Sequence, residues 1–150
     1  MGVFAGATFC AAVQNNDMVA AYASDNWSQP DLKPAREDLH WTISDVTVDT
    51  FVENLQENVT TETLDFDIQV LNGDSSQLGK KDFKHDVNII FYDGDNSEKK
   101  MREFFLNMID FTEDVFTLVI DDANIEENVA ITKRFIEAMG LKVLYERELL

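Results

Sequence analysis

A chain of 150 residues with 45% hydrophobic residues can fill one core, so a single domain over 1–150 is expected. Twelve Lys and Arg against 29 Asp and Glu give a formal net charge of −17. That field repels phosphate backbones and anionic lipid, which argues against a nucleic-acid-binding basic face and against membrane docking. Cys10 is the single cysteine, so neither an intrachain disulfide nor a zinc-binding cysteine tetrad is possible. With no apolar run near the ~18 residues of a membrane span and no secretion leader expected, a reducing, cytoplasmic setting fits best.

In chain order, Gly2-Val3-Phe4-Ala5-Gly6-Ala7-Thr8 leads into a helical pattern over Phe9 to Val13. Two glycines four apart permit a tight strand-to-helix turn and close approach of backbone to a ligand. An apolar run follows from Met18 to Ala23, ending at Ser24-Asp25-Asn26. Asn26 to Trp41 holds both prolines and both tryptophans and reads as an irregular lid. Val48, Phe51, Val52 and Leu55 then fall on one helical face.

The run Phe66 to Leu71 ends at Asn72-Gly73-Asp74, and Val87 to Tyr92 ends at Asp93-Gly94-Asp95. Asn96 or Ser97 caps a helix carrying Met101, Phe104, Phe105 and Met108 on one stripe. Val115 to Ile120 is a further strand, ending at Asp121-Asp122. A last helix carries Ile131, Phe135, Ala138 and Met139, with Gly140 as its terminator, and Leu141 to Tyr145 reads as a final strand.

Strands alternating with helices of this size predict βαβ units and a mainly parallel sheet, apolar on both faces because helices cover both. Ligands of such sheets bind beyond the carboxyl ends of the strands. Four predicted strands end in Asp25, Asp74, Asp93 and Asp121-Asp122, and this ordered series of acids is the most informative pattern in the chain. An acid at Asp25 can accept hydrogen bonds from a ribose diol, or it can be an ordinary turn residue. Three carboxylates converging at neighbouring strand ends repel one another unless a proton or a hard cation intervenes. Asp121 and Asp122 can equally form a solvated turn that caps the next helix.

Taken together, Gly2 to Thr8, Ala23-Ser24-Asp25-Asn26-Trp27, Gly73-Asp74-Ser75, Ile90 to Asp95 and Val119 to Asp122 resemble the class I S-adenosylmethionine-dependent methyltransferases. The similarity is to small O-methyltransferase-like members, including phage-borne and sugar-acting ones, and it runs in order over nearly the whole chain. The resemblance implies a Rossmann-like three-layer sandwich and methyl transfer to an oxygen of a small molecule or sugar. It places Gly2, Phe4, Gly6 and Thr8 in the loop along the cofactor's methionine part. It gives Asp25 the ribose hydroxyls, with Asn26 and Trp27 walling the adenosine, and gives Asp74 and Ser75 the adenine. Asp93 would lie by the methyl-transfer centre as the catalytic acid position. Metal-dependent members hold magnesium through positions matched by Asp93, Asp121 and Asp122.

The chain departs from the family pattern at three places. The acid that usually stands two residues before the first glycine is missing, and about three residues remain for a strand of typically five or six. A chain starting within a longer domain is the expectation from this. Asn96 stands where sugar-acting relatives often carry a basic histidine, and asparagine takes up no proton at neutral pH. The antiparallel seventh strand has no counterpart, so an exposed sheet edge and self-association are expected. Two other readings compete with methyl transfer. One is a non-catalytic, methyltransferase-like domain acting through cofactor binding or protein contacts. The other is an acidic protein that occupies a DNA-binding partner.

Overall fold

The computed structural model describes residues 2–3, 6–14, 16–27, 46–59 and 66–147. The expected lid, His40 and Trp41 fall largely or wholly outside them, as does Phe4. Among the described residues the chain is mixed α/β, with four α-helices and two two-stranded parallel sheets. It divides into two compact units, Met1–Ser75 and Ser76–Leu150. Among the described residues no helix is long and apolar enough to cross a membrane.

The first unit runs α1 (Ala7–Val13), β1 (Ala20–Asp25), α2 (Val48–Asn58) and β2 (Asp67–Asn72). β1 and β2 pair in unbroken parallel register from Ala20↔Asp67 to Asp25↔Asn72. Cys10, Val13, Ala21, Ala23, Phe51, Leu55 and Val59 form the core. The alanines of β1 let the aromatic and branched residues of the helices approach the strand closely. Phe51 and Leu55, one turn apart, are the buried positions of α2, as their spacing predicts. Burial raises the Cys10 thiol's pKa, as expected for a packed apolar residue rather than a reactive one.

α2 starts with a reciprocal cap. The Thr50 N–H donates to Thr47 Oγ1 at 3.3 Å, and the Thr47 N–H donates to Thr50 Oγ1 at 3.2 Å. Each bond satisfies a backbone donor that the first turn leaves open. Thr47→Ala is therefore expected to destabilise the fold by about 1 kcal/mol in urea unfolding. A midpoint unchanged from wild type would remove the cap from the stability of this helix.

The second unit runs β3 (Val87–Tyr92), α3 (Glu98–Met108), β4 (Thr112–Ile120) and α4 (Glu126–Ala138). β3, α3 and β4 make one βαβ unit, since the two strands are parallel with the helix between them in sequence. Met101, Phe104, Phe105 and Met108 are all fully buried, so the stripe read from the sequence is the packed face of α3. Ring contacts link the strand to both helices: Tyr92–Phe104 at 4.8 Å, Tyr92–Phe105 at 5.8 Å and Phe105–Phe135 at 4.9 Å. Gly140 adopts φ +64°, and α4 ends in a Schellman motif. In it the Leu141 N–H donates to Ile136 O and the Gly140 N–H to Glu137 O.

Several expectations give way to the coordinates. Among the described residues the strands pair in two small parallel sheets, one in each unit. The strand expected at Leu141 to Tyr145 is absent; that stretch has no ladder partner and leaves Val143, Leu144 and Tyr145 exposed. Gly2 and Val3 are likewise not a strand. Ala138 and Met139 belong to the exposed end of α4 rather than its packed face. β3 is not buried on both faces: Ile90 and Tyr92 are buried, whereas Ile89 and Phe91, which alternate with them, are 63% and 38% exposed. β4 begins at Thr112, ahead of the apolar run, because its polar start carries a bulge.

Candidate functional site

The acids read from the sequence do stand at strand ends. Asp25 is the last residue of β1, Asp74 follows β2 by two positions, Asp93 directly follows β3 and Asp121 directly follows β4. The first unit holds the glycine loop, Asp25 and Asp74. The second holds Asp93, Asp121 and Asp122.

In the first unit three segments meet at the carboxyl end of β1. The Gly73 N–H donates to Asp25 O at 2.8 Å, continuing the β2 ladder by one residue. The Gly2 N–H donates to Ser24 O, also at 2.8 Å. Successive carbonyls of a strand point to opposite edges, so the Gly2 segment lies beside β1 on the edge away from β2. The spatial order is therefore the Gly2 segment, then β1, then β2. Gly2 takes φ +77° and Gly6 φ +97°, both in the region that glycine enters without strain.

Asp25 is buried, and its Oδ1 accepts the Trp27 N–H at 3.0 Å. This is an Asx-turn, which fixes the chain as it leaves the strand. Trp27, at φ +41°, is half-buried with its ring centroid 5.7 Å from that of Phe51. Asn26 and Thr8 are exposed. Asp74 and Ser75 are half-buried, and Ser75 opens a short 3-10 turn to Gln77.

The space in front of Gly6 is filled. A Cβ placed there would meet the Phe51 ring at 2.8 and 2.9 Å. The close approach that the glycine permits is thus to a side chain of the core.

Ser24 was missed by sequence reasoning. It is 0% exposed and its Oγ, buried with it, has no hydrogen-bond partner. Nothing in a short A-Y-A-S-D strand distinguishes such a hydroxyl from a solvated one. Phe51, read as an ordinary stripe residue, is the second omission.

In the second unit, Asp93, Asp121 and Asp122 are exposed. The Asp121 N–H donates to Tyr92 O at 2.9 Å, extending the β3–β4 ladder. Asp122 takes φ +51°, and its Oδ2 accepts Asn96 Nδ2 at 2.9 Å. Its carbonyl accepts the amide of the buried Asn128 at 3.3 Å. These bonds are those of a turn leading into α4. Among the described residues no three Asp, Glu, His or Cys side chains gather closely enough to hold a metal ion. The acids therefore lie at the expected strand ends without forming a magnesium-binding group.

No protein-family model, curated protein or solved structure matches the chain.

Proposed function

We propose that the chain is an S-adenosylmethionine-dependent methyltransferase domain of the class I type, a Rossmann-like fold acting on an oxygen of a small molecule or sugar. The observation that carries this reading is the order of Gly2 segment, β1 and β2, with buried Asp25 at the carboxyl end of the middle element. A nucleoside bound beyond parallel strands needs an acid there to receive its ribose hydroxyls.

In this reading Asp25 keeps Oδ1 on the Trp27 N–H, and a carboxylate is the acceptor that a ribose diol requires. The Asx-turn sets the carboxylate's direction before the ligand arrives, which lowers the ordering that binding requires. Trp27 offers an apolar wall beside Asn26, Gly2 lends its backbone, and Asp74 with Ser75 takes the adenine edge. The cofactor supplies a methyl group already activated on a sulfonium, so alignment is the main task left to the protein. Asp93, Asp121 and Asp122, as placed, do not fit a magnesium ion, and no step is routed through one.

Calorimetric titration of the full chain with S-adenosylmethionine and S-adenosylhomocysteine tests the proposal. Micromolar binding is expected, and Asp25→Ala should weaken it by about 1–3 kcal/mol. A folded Asp25→Ala protein that binds as tightly as wild type would overturn the assignment.

The Phe51 ring against Gly6 favours one second reading, a domain of this architecture that has lost the methionine pocket and acts through protein contacts. A folded wild-type chain that binds neither compound would select it.

A further inference from the structure

Independently of the cofactor reading, the first unit holds a chemically labile pair at the end of β2. Asn72 and Gly73 form the single Asn-Gly step of the chain. In such a step the backbone nitrogen of the glycine can attack the asparagine's side-chain carbonyl, because no Cβ on the glycine stands in the way. The surroundings leave room for the ring that results. Apart from its chain neighbours, no atom of the described residues lies within 4 Å of the place a Gly73 Cβ would occupy.

The same nitrogen is engaged in the sheet. The Gly73 N–H donates to Asp25 O at 2.8 Å, and Asp25 and Asn72 are the last rung of the parallel pair. Asp25 is itself fixed, because its Oδ1 accepts the Trp27 N–H at 3.0 Å. While the ladder bond holds, the nitrogen's hydrogen is committed to a carbonyl, and attack requires the nitrogen to give that hydrogen up. Asn72 also belongs to β2, whose extended backbone keeps the side-chain carbonyl and the next nitrogen out of ring-closing geometry. Reaction therefore requires the end of the β1–β2 pair to open.

We propose that Asn72-Gly73 is a deamidation site gated by the last rung of the β1–β2 ladder. When the rung opens, the Gly73 nitrogen bonds to the Asn72 side-chain carbonyl carbon and closes a five-membered succinimide. The side-chain nitrogen leaves as ammonia, carrying the proton that the Gly73 nitrogen gives up. Water then cleaves one of the two bonds from that nitrogen to a ring carbonyl, adding a hydroxyl to the carbon and a proton to the nitrogen. Cleavage on the side-chain side gives aspartate, and cleavage on the main-chain side gives isoaspartate. Neither product restores the rung. Aspartate sets a second carboxylate opposite Asp25 on strands about 4.8 Å apart, where like charges repel. Isoaspartate adds a carbon to the backbone and shifts the Gly73 N–H away from Asp25 O. A transient opening is thus recorded as a permanent change at the carboxyl end of β1.

The test incubates the full chain in mildly alkaline buffer, folded and in urea, and follows each asparagine by peptide mass spectrometry. In urea Asn72 should convert faster than every other asparagine, and folding should slow it by roughly tenfold or more. Amide hydrogen exchange supplies a second readout. In urea below the unfolding transition, exchange at Gly73 and conversion of Asn72 should rise together, since one opening serves both. Gly73→Ala should slow Asn72 in urea to the rate of the other asparagines. Conversion as fast in the folded chain as in urea, conversion in urea no faster at Asn72 than elsewhere, or a Gly73 amide that stays protected while Asn72 converts would each overturn the proposal. Asn72→Asp isolates the charge from the added carbon and should lower the urea midpoint. A midpoint equal to wild type would overturn the repulsion assigned to the aspartate product.

Discussion

Phe105→Ala is expected to destabilise the protein by about 3–5 kcal/mol, a large part of the stability of an ordinary domain. Phe105 is 0% exposed and lies between the two helices and β3. Its ring stands 5.8 Å from Tyr92, 5.8 Å from Phe104 and 4.9 Å from Phe135. Removing it loses the transfer energy of a buried aromatic side chain and three ring contacts, and it leaves a void that three anchored aromatics cannot easily close. The neighbour Leu106 provides the control. It is 47% exposed on the same helix, so Leu106→Ala should change stability by no more than about 0.5 kcal/mol. Urea unfolding followed by tryptophan fluorescence and circular dichroism measures both. Similar losses for the two substitutions would mean that the packed face of α3 is not the one described.

That packed face was legible because it is local. Met101, Phe104, Phe105 and Met108 announce a helix by spacing alone, and Gly140 marks a helix end by backbone preference, whereas Ser97 stands at the N-cap of α3 without a side-chain cap bond. Val87 to Tyr92 was legible for the same reason, a β-branched and aromatic run cut short by Asp93-Gly94. Leu141 to Tyr145 has the same composition and forms no strand, because a strand exists only with a ladder partner and composition does not supply one. The start of β4 was hidden for a related reason. Thr112, Glu113 and Asp114 look like loop residues, and the pairing of Thr112 with Val87 brings the strand's start ahead of the bulge that holds Glu113 and Asp114.

The site divides along the same line. That acids terminate the strands follows from sequence order, and the coordinates place them there. Where each carboxylate is directed depends on its neighbours. Asp25 is engaged by the Trp27 N–H two residues on, a contact short enough to be suspected from sequence. Asp122 is held by Asn96 from the far side of α3 and β4, and no spacing rule brings those two together. The metal triad rests on the family resemblance and on strand ends, and neither determines whether three side chains converge.

Gly6→Ala is the second large effect, expected to destabilise the protein by about 2–5 kcal/mol, and its cause is long-range. Two penalties combine. At φ +97° an alanine is held in a left-handed conformation that disfavours any Cβ by about 1–2 kcal/mol. The same Cβ would stand 2.8 and 2.9 Å from the Phe51 ring, which is fully buried and has little room to retreat. Phe9 lies 5.6 Å from that ring and Trp27 5.7 Å, so displacing it disturbs the core of the first unit and the turn after Asp25. Overpacking of this kind adds about 1–3 kcal/mol. A double-mutant cycle with Phe51→Leu separates the two terms, because a smaller side chain relieves the clash and leaves the backbone strain untouched. The pair should therefore lose less than the sum of the single losses. Strict additivity would show that Phe51 does not fill the space in front of Gly6. The glycine loop would then be open for a ligand, which would restore the methionine pocket that the methyltransferase reading needs.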